Sequence, residues 1–136
     1  MRKSLLVAVF LGLAFSLSAP PIAVSKTNGI SEQSIEKLEK RAVDGDASAQ
    51  SELGSMHLRG DGVRKNYREA RTWLEKAAAQ GIADAQKNLG VMYLQGLGVQ
   101  KDYAQAVELF EKAAAQGDTN AYNNLGGIQS IHPMIV

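Results

Sequence analysis

Cysteine is absent from the chain, and histidine occurs only twice. No disulfide can hold a small exported domain together here, so its stability must come from packing alone. A cysteine nucleophile and a cysteine-linked lipid are excluded for the same reason. His57 and His132 are far apart in sequence, which is not the spacing of metal ligands. We therefore expect no catalytic, cofactor-binding or metal-binding residues, and no cofactor.

A run of charges of one sign is also missing. The sequence has 15 basic and 14 acidic residues, and without Arg2 and Lys3 the basic count falls to 13, for a net charge of −1. Contacts to a phosphate backbone need a basic face. Nucleic acid is therefore not an expected partner.

The start of the sequence has the layout of a secretory signal. Arg2 and Lys3 form a basic beginning, and residues 5–19 are uncharged and mostly apolar. This apolar run of 15 residues is shorter than the ~20 residues that a membrane-spanning helix needs. Residues 1–25 are thus predicted to be a signal peptide, with an uncleaved membrane anchor as the alternative.

The cleavage site is predicted before Lys26. Ala23 and Ser25 place small residues three and one positions before this bond, and cleavage after Ala19 is the rival. The expected location is periplasmic or secreted if the protein is bacterial, and the lumen of the endoplasmic reticulum if it is eukaryotic. No stable membrane span is expected after cleavage.

An internal repeat of 36 residues dominates the rest of the chain. Residues 46–81 and 82–117 have the same residue at 20 of their 36 positions. The register extends backwards over residues 34–45 as half a repeat, and forwards over residues 118–130 as a partial repeat. Several stacked copies of one structural unit are therefore predicted.

Each whole repeat is predicted to contain two helices, because apolar residues recur at helical spacing in both of its halves. Capping residues Asn66 and Asp102 indicate where the second helix begins. Three glycines at 36-residue spacing are suited to a left-handed helix end: Gly45, Gly81 and Gly117. About six helices are expected, the first over residues 34–44 and the last over residues 119–130. The fold class is all-α, an α/α superhelical solenoid of antiparallel helix pairs.

A glycine recurs inside the first helix of each repeat, at Gly54, Gly90 and Gly126. An interior glycine costs a helix ~1 kcal/mol relative to alanine, so its recurrence needs a reason. We predict that the partner helix approaches closely at these three positions.

These residues resemble the Sel1-like repeat (SLR) family, which is related to the tetratricopeptide repeats. Residues 83–117 fit the family pattern almost throughout, with Ala-x-Ala-Gln, Leu-Gly, Gly-x-Gly-Val and Ala-Ala-x-Gln-Gly in order. The first repeat departs from it with His57 where Tyr93 stands in the second. The resemblance covers roughly residues 34–126. It implies a right-handed helical scaffold that binds a protein or peptide partner.

The candidate binding residues lie opposite the Leu53 stripe, at positions that differ between repeats while the core positions recur. They are Ser51, Glu52, Ser55, Arg59, Lys87, Asn88, Val91, Gln95, Asn123 and Asn124. By resemblance to tetratricopeptide proteins this face lines a concave groove. There Lys87, Asn88, Asn123 and Asn124 would hold a peptide backbone or carboxylate. A solvated face without a ligand would vary in the same way.

No enzymatic activity is expected, but two alternatives to a binding scaffold stay open. Some proteins similar to this family are penicillin-binding or β-lactamase-like enzymes, although those are rich in paired cysteines, and a β-lactam hydrolysis assay separates the two classes. The other alternative is a non-functional truncated paralogue.

The two ends of the repeat region depart from the pattern. Residues 26–33 are polar and are predicted to form a flexible lead-in, and residues 131–136 form a divergent, mostly apolar tail. Ile128 and Ile131 have no partner within the pattern. We expect the tail to fold back over this end, or to join the same end of a second molecule in an end-to-end homodimer.

Overall fold

The computed structural model describes residues 29–131 and 133–134, and every regular element in this part of the chain is a helix. The six helices are α1 (Glu32–Val43), α2 (Ala47–Arg59), α3 (Tyr67–Ala79), α4 (Ala83–Gln95), α5 (Tyr103–Ala115) and α6 (Thr119–Ile131). Each helix packs on the next in sequence, and α2 also contacts α4. The predicted all-α repeat solenoid is confirmed, with α2–α3 and α4–α5 as its whole repeats.

Side-chain caps fix where most of these helices begin. The Oδ1 atoms of Asn66 and Asp102 accept hydrogen bonds from the backbone N–H three residues later, at 3.2 and 3.1 Å. Asp46 and Asp118 cap α2 and α6 in the same way, at 3.1 and 3.0 Å. Such a cap contributes ~1 kcal/mol to the helix. Ile82 occupies the equivalent position before α4 and makes no side-chain cap.

The turns between repeats depend on glycine, as predicted. Gly81 has a φ of +87°, and Gly45 and Gly117 repeat this left-handed conformation at +98° and +92°. Residues with a Cβ rarely adopt such angles, so glycine can end the helix there and turn the chain into the next repeat.

The first turn between repeats also carries an ion pair. Arg41 in α1 donates to Oδ2 of Asp46 from Nε at 2.9 Å and from Nη2 at 2.6 Å. These bonds, together with the N–H of Ala49, lower the pKa of the Asp46 carboxyl. The same carboxylate therefore caps α2 and ties it to α1.

The lead-in predicted for residues 26–33 ends earlier than expected. Ser31 caps α1 by accepting a hydrogen bond from the N–H of Ser34, so the helix begins at Glu32. Ile30 lies against the Gly62 loop, where a Cβ added to the glycine would be 3.2 Å from Cδ1 of Ile30. The prediction missed this contact because Ile30 lies outside the repeat pattern. Residues 26–28 and the predicted signal peptide lie outside the described residues.

Two of the three recurring helix glycines are points of close approach. A Cβ added at Gly54 would lie 2.7 Å from Cγ of Leu74, and one added at Gly90 would lie 2.8 Å from Cε1 of Phe110. Leu74 and Phe110 are both fully buried. The glycines therefore let α3 and α5 press their largest fully buried side chains against the backbones of α2 and α4.

The third glycine behaves differently. A Cβ added at Gly126 would meet nothing within 4 Å, because no described helix follows α6 to cover it. The expected close approach is therefore wrong at this position.

Ile128, predicted to lack a partner, is only 2% exposed and packs in the α5–α6 cluster that contains Phe110 and Ala121. Ile131 is exposed.

Candidate functional site

A shallow cleft of about 270 Å³ separates α2 from α4 on the face predicted to be concave. Its lining residues are Ser48, Ser51, Glu52, Ser55, Arg59, Ile82 and Asp84. Four of the ten candidate binding residues are thus brought together here. The direct contact of α2 with α4 places them side by side, because first helices of consecutive repeats stack along this face.

Ser55 of this cleft and Asn88 of α4, both candidate residues, already join the two helices. Asn88 is only 8% exposed, and its Nδ2 donates to Oγ of Ser55 at 2.9 Å and to Oδ2 of Asp84 at 3.2 Å. Ser51 and Ser55 are buried. Both N–H groups of the Asn88 amide are thus bonded within the protein, so the predicted hold on a peptide backbone stays a prediction that would use its amide oxygen.

The charge of Lys87 is likewise compensated. Its Nζ lies 2.6 Å from Oδ1 of Asp84 and 4.0 Å from Oδ2 of Asp118, and its side chain is 18% exposed. Asp118 also caps α6, so this network links α4 to the last helix. Lys87 was predicted to receive a peptide carboxylate, but in the structure two carboxylates of the chain itself surround it.

The other candidate residues differ in their solvent exposure. Glu52, Arg59, Gln95 and Asn123 are exposed, and Asn124 is half-buried. Nε of Arg59 lies 2.7 Å from Oδ2 of Asp61, whereas Glu52 has no ion pair within the described residues.

Val91 is also only partly available to a partner. It is half-buried and packs against the α5–α6 cluster. The face that carries the ten candidate residues therefore has two parts. Ser55, Lys87 and Asn88 make contacts between repeats, whereas exposed polar groups such as Glu52, Gln95 and Asn123 stand along its rim.

A second cleft, of about 450 Å³, lies between α1 and α2 and was not predicted. Apolar side chains of Ile30, Ile35 and Met56 line it, together with Lys37 and Arg41. Glu52 borders both clefts. Sequence reasoning missed this cleft because Ile30 had been assigned to the lead-in.

The recurring glutamines of the repeat have a structural role. Nε2 of Gln80 donates to Oε1 of Gln50 at 2.7 Å, and Gln116 donates to Gln86 in the same way at 2.9 Å. Gln50 in turn donates to the carbonyl of Ala42 at 3.0 Å. These bonds join the two helices of a repeat to the end of the preceding helix, which explains why glutamine recurs at 36-residue spacing.

The described residues contain no group of three or more His, Cys, Asp or Glu side chains placed to hold a metal ion. Nδ1 of His57 lies 3.2 Å from the carbonyl oxygen of Arg64, in the loop that follows α2. The histidine that replaces the tyrosine of the second repeat thus contacts the backbone of its own repeat.

A stack of two-helix repeats with a polar face along its first helices defines a helical-repeat scaffold. The Sel1 repeat pattern matches residues 47–82 and 83–118, more than half of the sequence, and the chain belongs to the Sel1 repeat family. Sel1 repeats generally mediate protein interactions, and proteins of the family are generally non-enzymatic scaffolds.

Solved structures of Sel1 repeat proteins resemble the chain closely. A Sel1 repeat protein from Oxalobacter formigenes is 37% identical with a TM-score of 0.67, over 72% of this chain and 40% of that one. The protective antigen c5321 of uropathogenic Escherichia coli, which has an SLR fold, is 38% identical with a TM-score of 0.68, over 71% of this chain and 21% of that one. The chain thus spans less than half of either structure.

A third structure is matched over most of its length. Cysteine rich protein B of Helicobacter pylori is 31% identical with a TM-score of 0.64, over 71% of this chain and 73% of that one. The chain shares this fold without any cysteine of its own. No curated protein matches the chain. Among the described helices, none is both long and apolar enough to span a membrane.

Proposed function

We propose that this protein is a scaffold that binds a protein or peptide partner in the cleft between α2 and α4. The observation that carries the proposal is the pairing of a rigid floor with free polar groups at the rim. Asn88 donates to Ser55 and Asp84, which both line the cleft, and so holds these two residues in place. Glu52 at the rim leaves its carboxylate free to accept hydrogen bonds from backbone N–H groups or a basic side chain.

A partner in this cleft would be recognised mainly by hydrogen bonds along its backbone, because most of the lining groups are polar. Ile82 supplies an apolar side chain at one end of the cleft, where the other repeats carry an aspartate cap. Few groups need to rearrange around Ser55, since this serine and Asn88 are already fixed by a bond within the protein. A preformed surface of this kind reduces the entropy lost on binding.

Charge reversal at Glu52 is expected to weaken partner binding. The full chain, Glu52→Lys and the matched surface variant Glu111→Lys would be used as baits for proteins from the compartment in which the protein accumulates. Glu111 is an exposed residue of α5, outside the cleft, so the two variants make the same change of charge. A bound protein should be depleted at least about tenfold with Glu52→Lys and retained with Glu111→Lys. Equal capture by all three baits would contradict a role for the cleft.

We further propose that the protein is exported, to the periplasm or outside a bacterial cell or into the endoplasmic reticulum of a eukaryotic one. The basic start at Arg2 and Lys3 and the short apolar run over residues 5–19 support this proposal. Sequencing the amino terminus of the mature protein should give Lys26 as the first residue. Intact Met1 on protein recovered from a membrane fraction would contradict both the site and the export.

A further inference from the structure

α6, the last helix of the described residues, presents a surface that the other repeats keep covered. In α4, Gly90 is closed by Phe110, Gln86 bonds Gln116, and Leu89 packs in one cluster with Leu109, so all three residues face α5 or the residue that ends it. The equivalent residues of α6, 36 positions later, are Tyr122, Leu125 and Gly126. We call these three residues the α6 end face.

The α6 end face is open and apolar. Tyr122 is 57% exposed, Leu125 is only half-buried, and nothing lies within 4 Å of a Cβ added at Gly126. It therefore combines a notch at the glycine with apolar side chains beside it. The notch and the leucine are shared with α2 and α4, where Gly54 and Gly90 receive α3 and α5, whereas Tyr122 stands where those helices have a glutamine.

At the opposite end of the described solenoid, the exposed side of α1 carries charged residues instead of apolar ones. α1 is equivalent to α3 and α5, but Lys37 and Arg41 stand where α5 has Leu109 and Ala113. Both cations are exposed. A second copy that docked its α1 on the α6 end face would bring these charges onto an apolar surface, at a high desolvation cost. Head-to-tail growth of the chain is thus disfavoured, and α1 has the polar outer face of a capping helix.

The packing of α3 on α2 and of α5 on α4 shows which side chains fit a surface of this kind. In α5, Phe110 fills the notch at Gly90. An alanine stands four residues before Phe110, at Ala106, and another three residues after it, at Ala113. α3 repeats the arrangement with Leu74. Small residues on either side of one large apolar residue let the helices approach closely.

We infer that the α6 end face is a docking site for an amphipathic helix of another protein, one with a leucine or phenylalanine framed by alanines at the −4 and +3 positions. Recognition of this kind places the apolar face of a helix in a groove. The surface is separate from the cleft between α2 and α4, so this inference does not depend on the proposed function.

The test uses a fluorescent peptide with the sequence of residues 102–117, which contains α5, and the full chain as receptor. We expect saturable binding of one peptide per chain in an anisotropy titration. The same peptide with Phe110→Asp should bind at least about tenfold more weakly, because its anchor would be charged. Gly126→Leu in the protein should weaken binding of the original peptide by a similar factor, because the added side chain fills the notch.

The matched control is Ala79→Leu, which also adds a leucine at an exposed small residue of a helix and should leave peptide binding unchanged. Gly126→Leu must melt at the temperature of the unaltered protein or above it, since its Cβ has no neighbour to displace. Undiminished binding to Gly126→Leu would show that the peptide exchanges with α5 or binds elsewhere, and would overturn the inference. A native dimer by light scattering that Gly126→Leu converts to a monomer would overturn it too, because a second copy would then occupy the face.

Discussion

Gly90→Leu is expected to destabilise the protein strongly. The new Cβ would lie 2.8 Å from the Phe110 ring, closer than carbon atoms approach without displacement. Phe110 is fully buried, so its ring cannot move aside into solvent. Overpacking of this kind costs ~1–3 kcal/mol, more than the ~0.8 kcal/mol gained by removing a glycine from a helix. At about 4–8 °C per kcal/mol for a domain of this size, the melting temperature should fall by several degrees or more.

Two variants serve as references for Gly90→Leu in thermal unfolding followed by circular dichroism. Gln95→Leu changes an exposed residue of the same helix and should shift stability by less than ~0.5 kcal/mol. Gly126→Leu changes the equivalent glycine of α6, where nothing is displaced, and should not lower the melting temperature. Equal melting temperatures for Gly90→Leu and Gln95→Leu would contradict a close contact at Gly90.

The contact itself can be isolated by a double-mutant cycle. Gly90→Ala should be costly in the native background, because even a methyl group meets the Phe110 ring. In a Phe110→Ala background that ring is gone, so the same change should be neutral or stabilising. The difference between the two backgrounds measures the steric interaction of the two residues.

Phe110→Ala is expected to cost ~3–5 kcal/mol of unfolding free energy. The ring is fully buried, lies against Gly90 and belongs to the cluster that holds Ile128 and Ala121 of α6. Its removal would leave a cavity between α4, α5 and α6. The last helix should therefore lose its protection from hydrogen exchange before the rest of the solenoid does.

The matched control for Phe110→Ala is Tyr122→Ala, which removes an aromatic side chain that is 57% exposed. The expected loss there is under ~0.5 kcal/mol in urea unfolding. A loss of similar size for the two variants would mean that Phe110 is not the centre of the α4–α6 packing.

The repeat pattern predicted the helices well because its signals are local. Apolar spacing and the caps Asn66 and Asp102 act within one helix, and Gly81 ends a helix through its own backbone angles. Such signals need no knowledge of neighbouring repeats. They failed only where the pattern stops, at Ser31 and Ile30, whose cap and contact lie before the first recognisable repeat.

The sequence could not show which candidate site residues are bonded within the protein, and the reason is again physical. A helical wheel shows that Ser55, Lys87 and Asn88 lie opposite the apolar stripe, but it does not show what stands next to that side of the helix. In the stack, Asn88 reaches a serine 33 residues away, and Lys87 approaches Asp118 from the next repeat.

The sequence by itself determined the class of fold, the number of helices and the family, because a 36-residue period constrains each unit in the same way. Only the tertiary structure decided which polar residues are free and which are bonded between repeats. It also separated Gly90, closed by Phe110, from Gly126, which is open, although the two glycines have equivalent places in the repeat. Local patterns set helix boundaries through backbone and capping energies, whereas exposure depends on which helix packs next to each surface.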